Sequence, residues 1–425
     1  MWMGRVDLAS HVGVVGQGLR YTWPVMRAYR RLLAAPGQAQ SLRPGVLGVA
    51  ISPTAATLPR CVDRLEELGV RSLLLRVPSW DPDPLFTLRD DFVRLREQGY
   101  AFTFALLQDR AAVVHPARWQ AFVEQAAACF EDLDPVLQVG HAVNRKKWGV
   151  WHPAEYLRML EAVPAVRESH PRCRFIGPPV IDFEYYFTLG FLAARRSCDF
   201  DGIASLLYVD RRGSPDRRQY RHFDLRRKLL LLRAVVEASP HPNVPIYLTE
   251  FNWPLRGAGR HSPAGPEVAT DETTQAAYLV LYYLTVLATG GIEVAYWWQM
   301  VARGYGLCDD DEVWSRRSAY DALRTLVGHV RGGFIERLDT RATAAGFLLE
   351  TEDRMTLVAF DDRSATTLDL AGVPCTAEDL VGGEIAADTV RRLTPVPVYL
   401  HFDAALVDRV LAPLGLRRAA GLAGG

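Results

Sequence analysis

The sequence has no surplus charge of either sign: 49 Lys and Arg balance 49 Asp and Glu across 425 residues. A nucleic-acid binder normally carries a basic excess over its contact face, so the composition counts against that class. Cysteine is scarce and scattered. None of the six sits in a C-x-x-C pair or at metal-ligand spacing with a histidine, so a zinc ribbon or thiol-redox motif has no support. Neither a cofactor nor a metal is expected. No apolar run approaches the roughly 18 uncharged residues that suggest a membrane-spanning helix. The opening MWMGRVDLAS has no apolar core behind a basic start. These absences lead to the expectation of a cytoplasmic protein with reduced thiols. No G-x-G-x-x-G follows the first strand, so a dinucleotide-binding fold loses its main support.

What is present is alternation. Residues 1–44 form a prelude, and within it Arg20–Ala35 (RYTWPVMRAYRRLLAA) is amphipathic and basic, with Trp23 on it. Such a segment suits a helix packed under the fold, or a weak contact with an anionic membrane surface through residues 20–31. From Gly45 the chain reads strand, helix, strand, helix. The strand segments are GVLGVAIS, SLLLRVPSW, AFTFALLQ, PVLQVGHAVN, RFIGPPVIDFE, GIASLLYVD, VPIYLTEFNWP and EVAYWWQM. Between them lie helix-length stretches such as Leu58–Leu68, closed by Gly69, and Trp119–Phe130, His152–His170, Phe187–Arg196, Leu225–Ala238 and Thr273–Thr289, with Ser318–Val330 last. Eight short apolar runs that alternate with helices predict parallel βα units. Eight units over residues 45–330 predict an α/β fold, a closed (β/α)8 TIM barrel. After Val330, short strands separated by Asp, Arg and Gly turns predict a small antiparallel domain over 331–402, sandwich-like or a single sheet. Residues 403–425 read as a final helix, Asp403–Leu416, and a Gly/Ala tail.

In such barrels chemistry gathers at the C-terminal ends of the strands. Here those ends offer Arg76 and Trp80, then Gln108 and Asp109, His141 and Asn144, Asp182 and Glu184, Tyr208 and Asp210, Glu250 and Trp253, and Trp297, Trp298 and Gln299. A glutamate flanked by an arginine and a tyrosine hydroxyl suits an ionised nucleophile. Tryptophans offer ring faces to the C–H side of a sugar. Arg145-Lys146-Lys147 reads as a solvated loop or a contact for an anionic ligand group. Asp309-Asp310-Asp311-Glu312 lacks the glycine and spacing of a calcium loop and reads as an acidic loop.

The order of these features resembles glycoside hydrolase clan A, the retaining (β/α)8 glycosidases, in its xylosidase/iduronidase-like or cellulase-like branch. The resemblance rests on Tyr247-Leu248-Thr249-Glu250 at strand seven, Arg76 at strand two, Tyr208 at strand six and Trp297 or Trp298 at strand eight. Gly177-Pro178 and Tyr305-Gly306-Leu307 add to it. It implies a carbohydrate ligand and makes Glu250 the nucleophile. It also implies that strand four ends in Asn-Glu, with Glu as general acid/base. This chain instead reads Gly140-His141-Ala142-Val143-Asn144. Alanine cannot protonate a leaving group, so the expectation is a glycosidase or transglycosidase with a relocated acid, His141 or Glu184. The expected sugar contacts are Arg76, Trp80, Asn144, Tyr208, Trp253, Trp297 and Trp298. The alternatives are a carbohydrate-binding pseudoenzyme and a scaffold in envelope-polysaccharide assembly.

Overall fold

The computed structural model describes residues 8–418 apart from 36, 195–197, 263, 341–343, 365, 371, 388–389 and 391. The MWMGRVD start and the Gly/Ala tail lie outside the described residues. The eight apolar runs become the strands of a barrel: β1 (Leu47–Ile51), β2 (Ser72–Pro78), β3 (Ala101–Leu107), β4 (Val136–Val139), β5 (Arg174–Ile176 and Val180–Ile181), β6 (Ile203–Leu206), β7 (Ile246–Phe251) and β8 (Ile292–Trp297). Each pairs in parallel with the next, and β8 returns to β1 through Ala295–Leu47 and Trp297–Val49. The first piece of β5 pairs with β4 and the second with β6, while Ile176 bridges to Gly202, which closes the ring. The break falls at Gly177-Pro178-Pro179, where two prolines have no N–H to give a ladder.

Every residue of β1, β4, β6 and β7 is buried, as expected for strands covered on both faces. Ala50, Leu74, Ala105, Ile176, Ala204, Tyr247 and Tyr296 belong to the cluster that fills the interior. Gly48 is needed there, because a Cβ on it would stand 2.5 Å from the Tyr296 ring.

The main outer helices are α1 (Leu8–Ala34), α2 (Leu58–Leu68), α3 (Arg89–Glu97), α4 (Pro116–Phe130), α5 (Pro153–Met159), α6 (Val163–Ser169), α7 (Tyr185–Leu192), α8 (Leu225–Ala238), α9 (Glu272–Thr289) and α10 (Ser318–His329). Local signals set their ends. Gly69 closes α2 at φ 77°. The Asp224 and Asp271 carboxylates accept the backbone N–H groups of Arg227 (2.9 Å) and Thr274 (2.8 Å) to start α8 and α9. The helix expected over His152–His170 is instead two, α5 and α6, with a proline in the first turn of each.

α1 does not lie under the barrel. It packs on the outer ring, against α7 and α8. Val14, Val25 and Tyr29 form its buried face, and a Cβ on Gly190 of α7 would stand 2.2 Å from Val14 Cγ1. The opposite face leaves Val12, Val15, Leu19, Trp23 and Met26 exposed, Leu19 at 67% and Trp23 at 69%.

The C-terminal region forms a seven-stranded antiparallel sheet in the order Gln40–Ser41, β9 (Phe334–Arg337), β10 (Ala345–Glu350), β11 (Met355–Phe360), β14 (Val398–Phe402), β12 (Thr376–Glu378), β13 (Glu384–Ile385), and a separate two-residue ladder pairs Asp339–Thr340 with Leu416–Arg417. Its edge strand comes from the N-terminal segment, through Gln40–Ile335 and Ser41–Phe334. The Thr366–Leu370 stretch, expected as a strand, makes only a bridge from Thr367 to Arg392. The Asp361 carboxylate takes the Thr366 N–H at 2.8 Å and its hydroxyl at 2.6 Å, so a polar turn holds groups that a ladder needs. The short strand Thr376–Glu378 takes its place in the sheet. Instead of the helix expected over Asp403–Leu416, the chain forms short turns around a five-residue helix, Val407–Leu411.

Candidate active site

Glu250 lies one residue before the end of β7, with its side chain 10% exposed. Oε2 accepts an N–H from Arg76 of β2, and Oε1 accepts the Tyr208 hydroxyl from just beyond β6. With each oxygen held by a separate donor, the carboxylate is fixed in one orientation. Burial first, and then the charge of Glu250, push the Tyr208 pKa well above its ordinary value, so the phenol stays protonated as a donor. The Arg76 guanidinium lies 3.3 Å from the Trp298 ring centroid, and Arg212 lies 3.5 Å from that of Tyr208. Arg212 also donates to the Asn252 carbonyl at 2.9 Å, and Asn252 Nδ2 donates to the Trp298 carbonyl at 2.9 Å. These contacts tie the ends of β6, β7 and β8 together.

His141 completes the cluster. Its Nε2 is 3.6 Å from Glu250 Oε2 and 3.2 Å from the Arg76 guanidinium. Gln108, wholly buried on the third strand's end, holds both sides of its backbone. The His141 N–H donates to Gln108 Oε1, and Gln108 Nε2 donates to the His141 carbonyl, both at 2.8 Å. Burial, followed by the positive charges of Arg76 and Lys147, pushes the His141 pKa well below its usual range. A neutral imidazole that accepts the Arg76 N–H through Nε2 has no proton there to give. The expected role of His141 as the acid therefore meets a physical obstacle, and its placement suits orientation of Arg76 and Glu250. The next residue, Ala142, is buried and left-handed at φ 42°, and it offers only a methyl group.

Glu184 is not part of this cluster. It takes Asn144 Nδ2 at 2.8 Å and Arg145 at 2.8 Å, while the other arm of Arg145 holds Asp182 at 2.7 Å. The Asn144 side chain also bonds both the N–H and the carbonyl of Ile181, each at 3.0 Å. These residues brace the loop after β4 against β5, and among the described residues no hydrogen bond or ion pair runs from Glu184 to Glu250. Asp109 caps a short helix by accepting the Ala112 N–H at 2.7 Å.

The tryptophans divide. Trp297 and Trp253 are fully buried, stacked on one another at 6.1 Å and edge-on to Phe251. Neither presents a face to the mouth, in contrast to the expectation. Trp298 lies over Arg76, and Trp80 is half exposed beyond β2. Two aromatic residues that strand-end reasoning passed over join the site. Trp148 meets His141 edge-on at 4.5 Å, and Tyr305 packs with it around Trp298. Both sit in loops beyond strand ends, and the Tyr305-Gly306-Leu307 turn was the one sequence signal for the second. Beside Tyr305, a polar cleft of about 630 Å³ opens, with Ser52, Arg260, His261, Gln299 and Asp310 in its wall.

No protein-family model and no curated protein sequence matches the chain. Solved structures do. A family 39 glycoside hydrolase from Bacteroides cellulosilyticus WH2 superposes with a TM-score of 0.62 at 15% identity, over 85% of this chain and 81% of that one. The chain has the fold of a glycoside hydrolase. A GH39 β-xylosidase from Caulobacter crescentus matches over 87% of this chain and 98% of that one, with a TM-score of 0.57 at 14% identity. A family 51 α-L-arabinofuranosidase from Bifidobacterium longum matches over 87% and 97%, with a TM-score of 0.53 at 13% identity.

Proposed function

We propose that the chain binds a glycoside in the barrel mouth and that Glu250 attacks its anomeric carbon. The observation that carries this reading is the pair of donors, Arg76 and Tyr208, set on the two oxygens of one strand-end carboxylate. A negative charge fixed there stabilises an oxocarbenium-like transition state and can form a glycosyl-enzyme bond. Arg76, Tyr208, Trp298, Trp148 and Tyr305 supply polar and ring contacts for the sugar. With Ala142 where the resemblance implies an acid, turnover belongs to substrates whose leaving groups depart unprotonated.

The test uses 2-deoxy-2-fluoro glycosyl donors with dinitrophenolate or fluoride leaving groups, read by intact mass and peptide mapping. An adduct on Glu250 that is absent in Glu250→Gln is the expected result. A second reading, a carbohydrate-binding protein without turnover, is favoured by the missing carboxyl at position 142 and the neutral His141. It gains if the panel gives no adduct while sugars still bind.

The outer face of α1 supports a partner reading as well. Its exposed apolar stripe is flanked by Arg20, Arg27 and Arg30, and α1 contains no acidic residue. An apolar stripe whose charged neighbours on its own helix are all basic complements an anionic lipid surface. The protein is expected to float with phosphatidylglycerol-containing vesicles but not with phosphatidylcholine alone, and Leu19→Asp/Trp23→Asp should remove the flotation. Flotation that survives those changes, or none with the wild type, rules the contact out.

A further inference from the structure

A second cluster of chemical groups lies far along the chain from Glu250, where α10 meets the C-terminal sheet. Strands β12 and β14 pair in antiparallel, with Thr376 opposite His401 and Glu378 opposite Tyr399. Glu378 and His401 are therefore diagonal neighbours on one face of the sheet. The helix α10 ends on that face, and its last residue, His329, stacks on Tyr399 at 4.8 Å and lies 5.0 Å from the His401 ring. His329 Nε2 is 2.9 Å from Glu378 Oε2, and His401 Nε2 is 3.5 Å from the same oxygen. One donor atom from each residue lies within 4.8 Å of the others.

We propose that His329, Glu378 and His401 form a binding site for one zinc-class divalent cation that joins α10 to the C-terminal sheet.

Two imidazoles and a carboxylate are a donor set that such ions take. With metal–ligand distances of about 2.0–2.2 Å, tetrahedral ligand atoms lie roughly 3.4 Å apart. The 3.5 Å gap already matches, the 2.9 Å contact opens by about half an ångström, and the two imidazole nitrogens, within 4.8 Å of one another, close by up to about 1.4 Å. The second observation is His401 itself. Its side chain is 5% exposed, and its Nε2 has no hydrogen-bond partner although a carboxylate stands 3.5 Å away. Its Nδ1 faces the Thr356 hydroxyl at 3.0 Å. When Nδ1 carries the proton and donates it to Thr356, the Nε2 lone pair points at an anion. A cation between them satisfies that arrangement; without one, the proton sits on Nε2 and faces Glu378 instead. A ring nitrogen fixed by an outer partner while the other ligates is how histidine usually serves a metal.

The remaining groups fit. Burial lowers the pKa of both imidazoles, and the proton that His329 Nε2 gives to Glu378 at 2.9 Å moves to Nδ1 when the ion binds. The Glu378 side chain is 25% exposed, which leaves an open side for a water as fourth ligand and for entry of the ion. Arg354 stands 3.4 Å from His329 Nδ1, and it is exposed, so it can turn to solvent when Nδ1 takes the proton. The three ligands are separated by 48 and 22 intervening residues, which is why no local ligand spacing disclosed them.

The experiment strips the full-length protein with a chelator and titrates it with ZnCl2 in calorimetry, then with CoCl2 followed by absorption. One ion per chain is expected. The unfolding temperature should rise with free zinc, as linkage requires of a ligand that binds the folded state. The cobalt form should show ligand-field bands without the near-ultraviolet thiolate band that any of the six cysteines would produce. His401→Asn and Glu378→Gln should each weaken binding by more than the roughly 10–100-fold that loss of an outer-shell partner costs. Arg354→Gln should bind no more weakly than wild type. No zinc binding by the stripped wild type, a thiolate band in the cobalt form, or affinity unchanged in folded His401→Asn and Glu378→Gln each overturns the proposal. If both variants fail to fold, the wild-type stoichiometry and cobalt spectrum still decide it.

Discussion

Ala142→Glu is expected to raise kcat/KM on unactivated glycosides by about 10²–10⁴-fold, the usual contribution of a positioned general acid. The same substitution should leave dinitrophenyl glycosides within a few-fold of wild type, because that leaving group departs without a proton. The split between the two substrates is the diagnostic. A general gain in binding would raise both, and a damaged fold would lower both. The backbone favours the test. Ala142 is already left-handed at φ 42°, so the clash of a Cβ with the neighbouring carbonyl, roughly 1–2 kcal/mol, is present in the parent and does not grow with a longer side chain. Gln108 holds residue 141 through its main chain alone, so the clamp survives a change at 142. The glycone to use is the one that the fluoro-sugar panel identifies. A folded variant that still forms the Glu250 adduct yet shows no gain on unactivated substrates would mean that position 142 does not face the scissile bond.

The barrel was legible because its signals are local and repeated. Eight buried apolar runs, helix-length segments between them and glycine stops such as Gly69 all act within a few residues, and α8 begins and ends at the residues expected of it. The strand-end residues Arg76, Tyr208 and Glu250 were legible for a related reason. Once the strands are placed, the fold delivers their C-terminal ends to one mouth. What was not legible depended on rotation about an axis that periodicity leaves open. Trp297 and Trp298 are adjacent, so one must point into the barrel wall and the other toward the mouth, and sequence alone did not say which. Trp253 looked like a cleft residue because it follows Glu250 by three, but its indole N–H donates to the Gly213 carbonyl at 3.0 Å and its ring is buried. Glu184 looked free to serve Glu250 until Asn144 and Arg145 were seen to hold it. The C-terminal sheet was the weakest reading, since its strands are short and Gln40–Ser41 completes it from nearly 300 residues away.

Arg76→Met is expected to lower stability by about 3–5 kcal/mol, the cost of leaving one partner of a buried ion pair uncompensated. Methionine keeps an unbranched stem against Trp298, so the loss isolates the charge rather than the packing. The Arg76 and Glu250 side chains are 18% and 10% exposed, so water screens little of their attraction. The double variant Arg76→Met/Glu250→Gln should then lose less than the sum of the two single changes, because it leaves neither a lone cation nor a lone anion behind. pH gives a further handle. In the parent, burial first and then the Arg76 charge hold the His141 pKa down. Without it only burial and Lys147 hold the pKa down, so it moves up and His141 takes a proton beside Glu250, 3.6 Å away, more readily than in the parent. The folded variant then binds that proton more readily than the parent does. Its deficit relative to wild type should shrink as pH falls from 8 toward 6, and His141→Asn in the Arg76→Met background should abolish that recovery. Denaturant midpoints at the two pH values measure it. An Arg76→Met protein as stable as wild type at pH 8, or a double variant worse than the sum, would mean that the Glu250 carboxylate is balanced by something other than Arg76.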